Sequence, residues 1–179
     1  MRRLGLACLL CAAALGSARA DVPASRIALL AGGRLNFGDL GQRYRYGYMF
    51  GAEAGYHWGA IGFNWSILGG AFPSTRSDNP EGELGLLELG LSARARVFVA
   101  GDSYRTFLVG QAGGEFLRTS IPVPFDGGGD RQHVGPFVGG GVEVIVADEY
   151  MFMLGSHYAL LPFEPSGVTV FLSFGVGST

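Results

Sequence analysis

The 179-residue sequence contains no lysine, and its only two cysteines, Cys8 and Cys11, fall within the first dozen positions. It has no apolar run long enough for a membrane-spanning helix, which takes roughly 20 consecutive apolar residues. Both cysteines lie in what reads as a cleaved leader. The mature chain is therefore without cysteine, which excludes disulfides, zinc–thiolate centres and thiol nucleophiles together. The absence of lysine makes every fixed positive side chain an arginine, whose rigid fork suits carboxylate pairing in a confined space. Glycine is abundant, at 31 residues, but follows no fixed period, so collagen-like and solenoid readings fail.

The leader consists of a positive start at Arg2 and Arg3, an apolar stretch from Leu4 to Gly16, and small residues at Ala18 and Ala20 where a signal peptidase reads. Cleavage is expected before Asp21, giving a signal peptide over 1–20 and one domain over 21–179. Neither Cys8 nor Cys11 has the upstream spacing that lipoprotein processing requires. Removing Arg2, Arg3 and Arg19 leaves ten basic against fifteen acidic side chains, a balance that disfavours nucleic acid as a partner.

What the mature chain does have is alternation. Ile27, Leu29, Ala31, Leu35 and Phe37 alternate with Ala28, Gly32, Arg34 and Asn36. Tyr48, Phe50, Ala52, Ala54, Tyr56 and Trp58 alternate with Gly51, Glu53, Gly55 and His57, and Phe63, Trp65 and Ile67 with Asn64 and Ser66. The same period of two recurs over 87–99, less cleanly over 104–116, and again from Val134 to Val146, Tyr150 to Tyr158 and Val168 to Val176. Such a period marks strands, and eight of them are expected. They are joined alternately by short turns at Gly59-Ala60, Gly101-Asp102-Ser103 and Ala147-Asp148-Glu149 and by longer polar links, among them 69–83 and 119–132. An even number of strands with short and long links in alternation predicts an all-β, eight-stranded antiparallel up-and-down transmembrane β-barrel with its short turns in the periplasm. Closure lets strands cross a membrane, because every backbone hydrogen bond is then made between strands. Aromatic residues stand where interfacial girdles belong, with Tyr56, Trp58, Tyr104 and Tyr150 near the short turns and Tyr46, Tyr48, Phe116 and Tyr158 near the long links. A soluble barrel with an apolar pocket is the competing architecture. It would place its charges outside, whereas here the faces opposite the charges are almost continuously apolar.

In hairpin pattern, in length and in runs such as Gly135-Pro136-Phe137-Val138-Gly139-Gly140-Gly141-Val142-Glu143, the whole mature chain resembles the small outer-membrane β-barrel proteins of the OmpA-like and OmpX-like kind. The resemblance implies a monomeric barrel in the bacterial outer membrane, inserted by the outer-membrane assembly machinery and surrounded by outer-membrane lipid and lipopolysaccharide. The chain departs from that pattern in ending Gly177-Ser178-Thr179, with Phe174 set back, where such barrels end on an aromatic residue. No peptidoglycan-binding domain follows, so that role does not carry over.

The charges on the polar faces form the first candidate site. Arg34, Arg94 and Arg96 are set against Glu53, Glu88, Glu115 and Glu143, with His57 and His157 in addition. An eight-stranded barrel leaves an interior just wide enough for side chains, so these groups are expected to form a salt-bridged plug; a gated, narrow porin-like pore for ions or small solutes is the alternative. A tight turn after Ala100 would set Glu88 beside Glu115, with Arg34 as their partner across the lumen and Arg94 and Arg96 deeper, near Glu53 and Glu143. Ser156-His157 invites a hydrolase reading, but neighbours on a strand face opposite sides and a serine–histidine dyad needs hydrogen-bond reach. No enzyme activity is expected. Gly127-Gly128-Gly129 is followed by no Lys-Ser/Thr pair and is not a phosphate loop. His57, His133 and His157 show no metal spacing, so neither a metal nor a cofactor is expected. The second candidate is the apolar, proline-stiffened stretch Ile121, Pro122, Val123, Pro124 and Phe125, either a contact surface for an extracellular partner or a cover over the barrel mouth.

Overall fold

A computed structural model describes residues 24–75, 82–101, 103–121, 129–160 and 166–178. The expected leader and the stretch from Pro122 to Phe125 lie outside the described residues, and only the backbone of Ile121 is described. The strands are β1 (Ser25–Asn36), β2 (Tyr46–Trp58), β3 (Ile61–Pro73), β4 (Glu83–Ala100), β5 (Tyr104–Ile121), β6 (Gly129–Val146), β7 (Tyr150–Ala159) and β8 (Gly167–Ser178). Each pairs antiparallel with its neighbour in sequence, and β1 closes on β8 from Ser25–Ser178 to Asn36–Gly167.

The parity read from the sequence is the parity of the barrel. Leu29 is 69% exposed and Leu91 63%, while Arg34 and Arg94 on the alternate positions are 2% exposed. Lipid covers the first set, and the lumen encloses the second. Near the short turns Tyr56 packs edge-on against Trp58 with ring centroids 5.0 Å apart, the amphipathic belt that anchors a barrel at the interface. The short turns use left-handed backbone: Gly59 has φ 61°, and Ala147 and Asp148 have φ 52° and 60°.

Two differences from the sequence reading have physical causes. The strands β3 to β6 run further than expected. The link placed at 69–83 is strand up to Pro73, and that placed at 119–132 is strand up to Ile121 and again from Gly129. Polar residues there read as loop, yet pairs such as Thr119–Arg131 and Ser120–Asp130 continue the ladder. Phe107 and Val109, which blur the alternation of β5 by sharing its polar face, are on the inward face as read and are buried. Second, β4 and β5 are offset by two residues from the expected register, so that Glu88 lies opposite Leu117 and Glu115 opposite Gly90. The hairpin closes more widely, at Ala100–Thr106, and a bulge lies between Phe98 and Ala100. A shift of two keeps every side chain on its face.

The link after β1 also carries an element the sequence reading did not include, a short helix α1 (Gly38–Arg43). Its last carbonyls are held from across the rim: the Thr75 hydroxyl donates to the carbonyls of Gln42 (3.0 Å) and Arg43 (2.9 Å). Asn36 Nδ2 donates to the Tyr44 carbonyl at 2.9 Å, and Tyr44 itself is buried. The helix thus draws the first outer link over the mouth of the barrel.

Leu91 is mid-strand and faces lipid, so Leu91→Arg should cost ~2–4 kcal/mol in stability. The measurement is the urea dependence of folding into lipid vesicles, and an unchanged midpoint would mean that this face does not meet hydrocarbon.

Candidate functional site: the lumen

The inward residues are arranged in levels along the barrel axis. At the short-turn end Phe107, Ile145, Met151 and Met153 form an apolar floor, and at the end of the longer links Tyr44, Met49, Phe72, Leu84, Leu86 and Leu117 form an apolar ceiling, all buried. Two groups of charge lie among and between them, Glu143 in register with Phe107 and Met153. Neither apolar closure was read from the sequence, where the inward faces looked polar. The signal was present in the parity of Leu84 and Leu86 with Glu88, and of Phe107 and Val109 with Gln111.

In the lower layer Arg26 is ion-paired with Glu53 and reaches Glu143 Oε2 at 2.6 Å. Arg94 Nη2 donates to Glu53 Oε2 at 3.0 Å and to Gln111 Oε1 at 3.1 Å. Arg96 Nη2 lies 2.9 Å from Glu143 Oε1. With its amide turned to suit its neighbours, Asn64 accepts from Arg94 Nε at 2.6 Å. Three arginines thus face two glutamates, and the layer carries a single net positive charge. Arg26 was missing from the sequence-derived set, although its parity with Ala28 and Arg34 places it inside.

The upper layer contains Arg34, Glu88, Glu115 and His157. Arg34 Nη1 donates to Glu88 Oε2 at 3.0 Å, and its Nε to Asn36 Oδ1 at 3.1 Å. His157 Nε2 lies 3.0 Å from Glu88 Oε1 and 3.9 Å from Glu115 Oε2. With a neutral imidazole this layer carries one net negative charge, which balances the layer below. His157 is set by the rings of Phe137 and Phe171, with centroids 5.2 and 6.1 Å away. It also needs glycine beside it, because a Cβ on Gly139 would stand 2.8 Å from the His157 Cβ.

All eight lumen residues named from the sequence are therefore inside the barrel, in two groups. Arg94 and Arg96 do meet Glu53 and Glu143, and Arg34 meets Glu88. Glu88 and Glu115 are not cross-strand neighbours but converge on His157. Ser156 lies on the other side of the strand from His157, so these two neighbours do not form a dyad. Among the described residues Glu88, Glu115 and His157 form a three-donor group whose atoms lie within 4.8 Å of one another. This meets a histidine with carboxylates from other strands, which spacing along the sequence could not reveal. Between the layers is a cavity of about 20 Å³ bordered by Asn64, Ser66, Ser92 and Gln111. That is room for about one water molecule.

An antiparallel eight-stranded barrel with an apolar outer belt and a charged, capped lumen defines an integral outer-membrane protein. The chain belongs to the family of outer membrane protein β-barrel domains, whose model matches residues 4–177, and it resides in the bacterial outer membrane. Its fold is similar to that of Neisserial surface protein A, at 14% identity and a TM-score of 0.63 over 86% of this chain and 97% of that one. It is also similar to the N-terminal β-barrel domain of Pseudomonas aeruginosa OprF, at 15% identity and TM-score 0.55, covering 84% and 96% of the two chains. Ail, the attachment invasion locus protein of Yersinia pestis, matches at 14% identity and TM-score 0.54 over 87% and 98%. A search of curated proteins returns no match.

Truncating Arg34 removes the counter-charge of a buried carboxylate. Arg34→Ala should therefore lower stability by about 3–5 kcal/mol, as breaking buried pairs does, and adding Glu88→Gln should restore part of it. Urea unfolding of the three proteins in micelles checks this; full stability of Arg34→Ala alone would show that the pair is not needed.

Proposed function

We propose that this protein acts as a closed barrel with a structural and surface-contact role, and that it is not a channel. The observation that carries the reading is the filled lumen: paired arginines and glutamates packed with buried apolar side chains at both ends, around a cavity of about 20 Å³. A pore for ions needs a continuous polar path, and opening one here would separate buried ion pairs and expose two apolar layers.

The outward geometry supports contact at the cell surface. β4, β5 and β6 have 18 residues each, whereas about 9–11 tilted residues span a membrane. The surplus lies at the outer ends, where Arg118 is ion-paired with Asp130 and Val134 is 77% exposed. Residues from Glu83 to Leu87, Leu117 to Ile121 and Gly129 to Val134 thus form a wall standing above the bilayer, and the outer links start from its top. An extracellular partner would meet this wall, while outer-membrane lipid and lipopolysaccharide surround the belt and the assembly machinery inserts a monomer. The Ail protein has been crystallised with the heparin analogue sucrose octasulfate, a contact by a barrel of the same fold. No catalytic role and no cofactor are part of this reading.

Conductance separates the two roles. The purified protein in planar bilayers should give no steady channels, and Arg34→Ala should not create them; discrete, ion-selective openings in the unaltered protein would replace this reading with the pore. Orientation is checked separately by single cysteines. A cysteine at Arg131 should react with an impermeant thiol reagent on intact cells and one at Ser103 should not, and equal labelling would overturn the assigned sidedness.

A further inference from the structure

The upper charge layer is incomplete. Glu115 is 2% exposed, yet neither of its carboxylate oxygens has a hydrogen-bond partner, and the same is true of His157 Nε2, which faces it. A buried carboxylate without a partner is costly. In the lower layer Arg26 Nε, Arg96 Nε and Nη1 and both His57 nitrogens also lack hydrogen-bond partners, but each glutamate there is met by arginines; among the described residues Glu115 is the buried carboxylate with neither oxygen partnered. Thr169, paired in register with both His157 and Arg34, adds a buried hydroxyl that also lacks a partner.

We propose that Glu88, Glu115 and His157 bind a divalent first-row transition-metal ion of the zinc class inside the barrel. The donors are one imidazole nitrogen and two carboxylate oxygens, a mixture that suits such ions better than calcium or magnesium, which take six or more oxygen ligands or retain their waters. Tetrahedral zinc, with bonds of about 2.0–2.1 Å, holds its ligand atoms about 3.3 Å apart. His157 Nε2 is already 3.0 Å from Glu88 Oε1 and 3.9 Å from Glu115 Oε2, so a small movement of the Glu115 side chain completes the set. Glu88 is suited to its part because its two oxygens are divided: Oε1 faces the site, and Oε2 accepts from Arg34 at 3.0 Å. Arg34 thereby orients the ligand from behind, as carboxylate ligands commonly require.

A proton is the competing occupant, since an imidazolium at His157 would neutralise the layer. It fits less well. A proton on Nε2 serves Glu88 at 3.0 Å and leaves Glu115, at 3.9 Å, with both oxygens still unpartnered. One metal ion satisfies all three donors. Since the apolar ceiling closes the site from outside, the ion enters as the barrel folds.

The test is to refold the protein from urea into micelles with zinc ion, dialyse it extensively and measure zinc in the folded fraction. About one equivalent per barrel is expected. Glu115→Gln, which removes the charge while keeping the volume, and His157→Gln should retain at least roughly tenfold less zinc. Zinc in the unaltered protein no higher than in these variants would overturn the proposal. Cobalt serves as a second probe that does not depend on the variants folding. Refolding the unaltered protein with cobalt(II) should produce the visible absorption of a four-coordinate site, and the pale spectrum of the hydrated ion would overturn the assignment in favour of a proton held by the group.

Discussion

A strand in hydrocarbon has no water to satisfy its amides, and the pairing of β1 with β8 is where this chain meets that requirement. The hairpins supply seven of the ladders as a consequence of their short and long links. The eighth joins the ends of the sequence, residue for residue from Ser25–Ser178 to Asn36–Gly167, and without it two edges would lie open in lipid, each unsatisfied group costing several kcal/mol. Closure in turn fixes the number of strands, and eight strands fix an interior wide enough only for side chains. The charged lumen is therefore a consequence of the backbone's own requirement. Polar side chains on the inward parity must find partners within the barrel, because neither lipid nor bulk water is available to them.

The charges solve this in a particular way. Arg26, Arg94 and Arg96 with Glu53 and Glu143 form one level, and Arg34 with Glu88, Glu115 and His157 form the other, each with one unit of charge of opposite sign. The levels are separated by Asn64, Ser66, Ser92 and Gln111, neutral groups that can turn toward either. Replacing such ion pairs with well-packed apolar residues often leaves a protein equally stable. The pairs are therefore better regarded as fixing which inward residues face one another than as the main source of stability. The apolar floor and ceiling keep water from both levels, which strengthens each pair and raises the cost of parting it.

How far the sequence could be read follows from the same physics. Alternation with a period of two set the strands, their number, the lipid face and the inward positions of Arg34, Glu53, Glu88, Arg94, Arg96, Glu115, Glu143 and His157, because a membrane leaves no tolerance for a strand of the wrong parity. The outer ends of β3 to β6 were not legible. There the outward face is polar too, with Arg118 and Ser120 exposed while Leu117 and Thr119 are buried inside, so apolar and polar residues no longer alternate although the strands are paired. Register was legible only to within two residues, since parity is blind to the bulge between Phe98 and Ala100. Arg26 was lost at a strand end. The meeting of Glu88 and Glu115 with His157 lay beyond sequence altogether: these residues are on β4, β5 and β7, and only the closed barrel brings the three together.

The uneven strand lengths have a structural consequence at the outer rim. β7 ends at Ala159, opposite Phe137, and the last bond across that seam runs from the Leu160 amide to the Pro136 carbonyl at 2.8 Å. Beyond it, β6 from Gly129 to Gly135 pairs with β5 on one side and with no strand on the other among the described residues. An open edge of this kind is a template for unwanted strand addition unless it is blunted. Here Pro136 stands where the pairing stops, and a proline has no amide to offer a further strand. Asp130, Arg131 and Gln132, all exposed, then place polar and charged side chains along the free portion, and the Arg118–Asp130 pair ties it back to β5. The free portion of β6 thus ends on the proline and carries the charged side chains that together oppose strand-to-strand association.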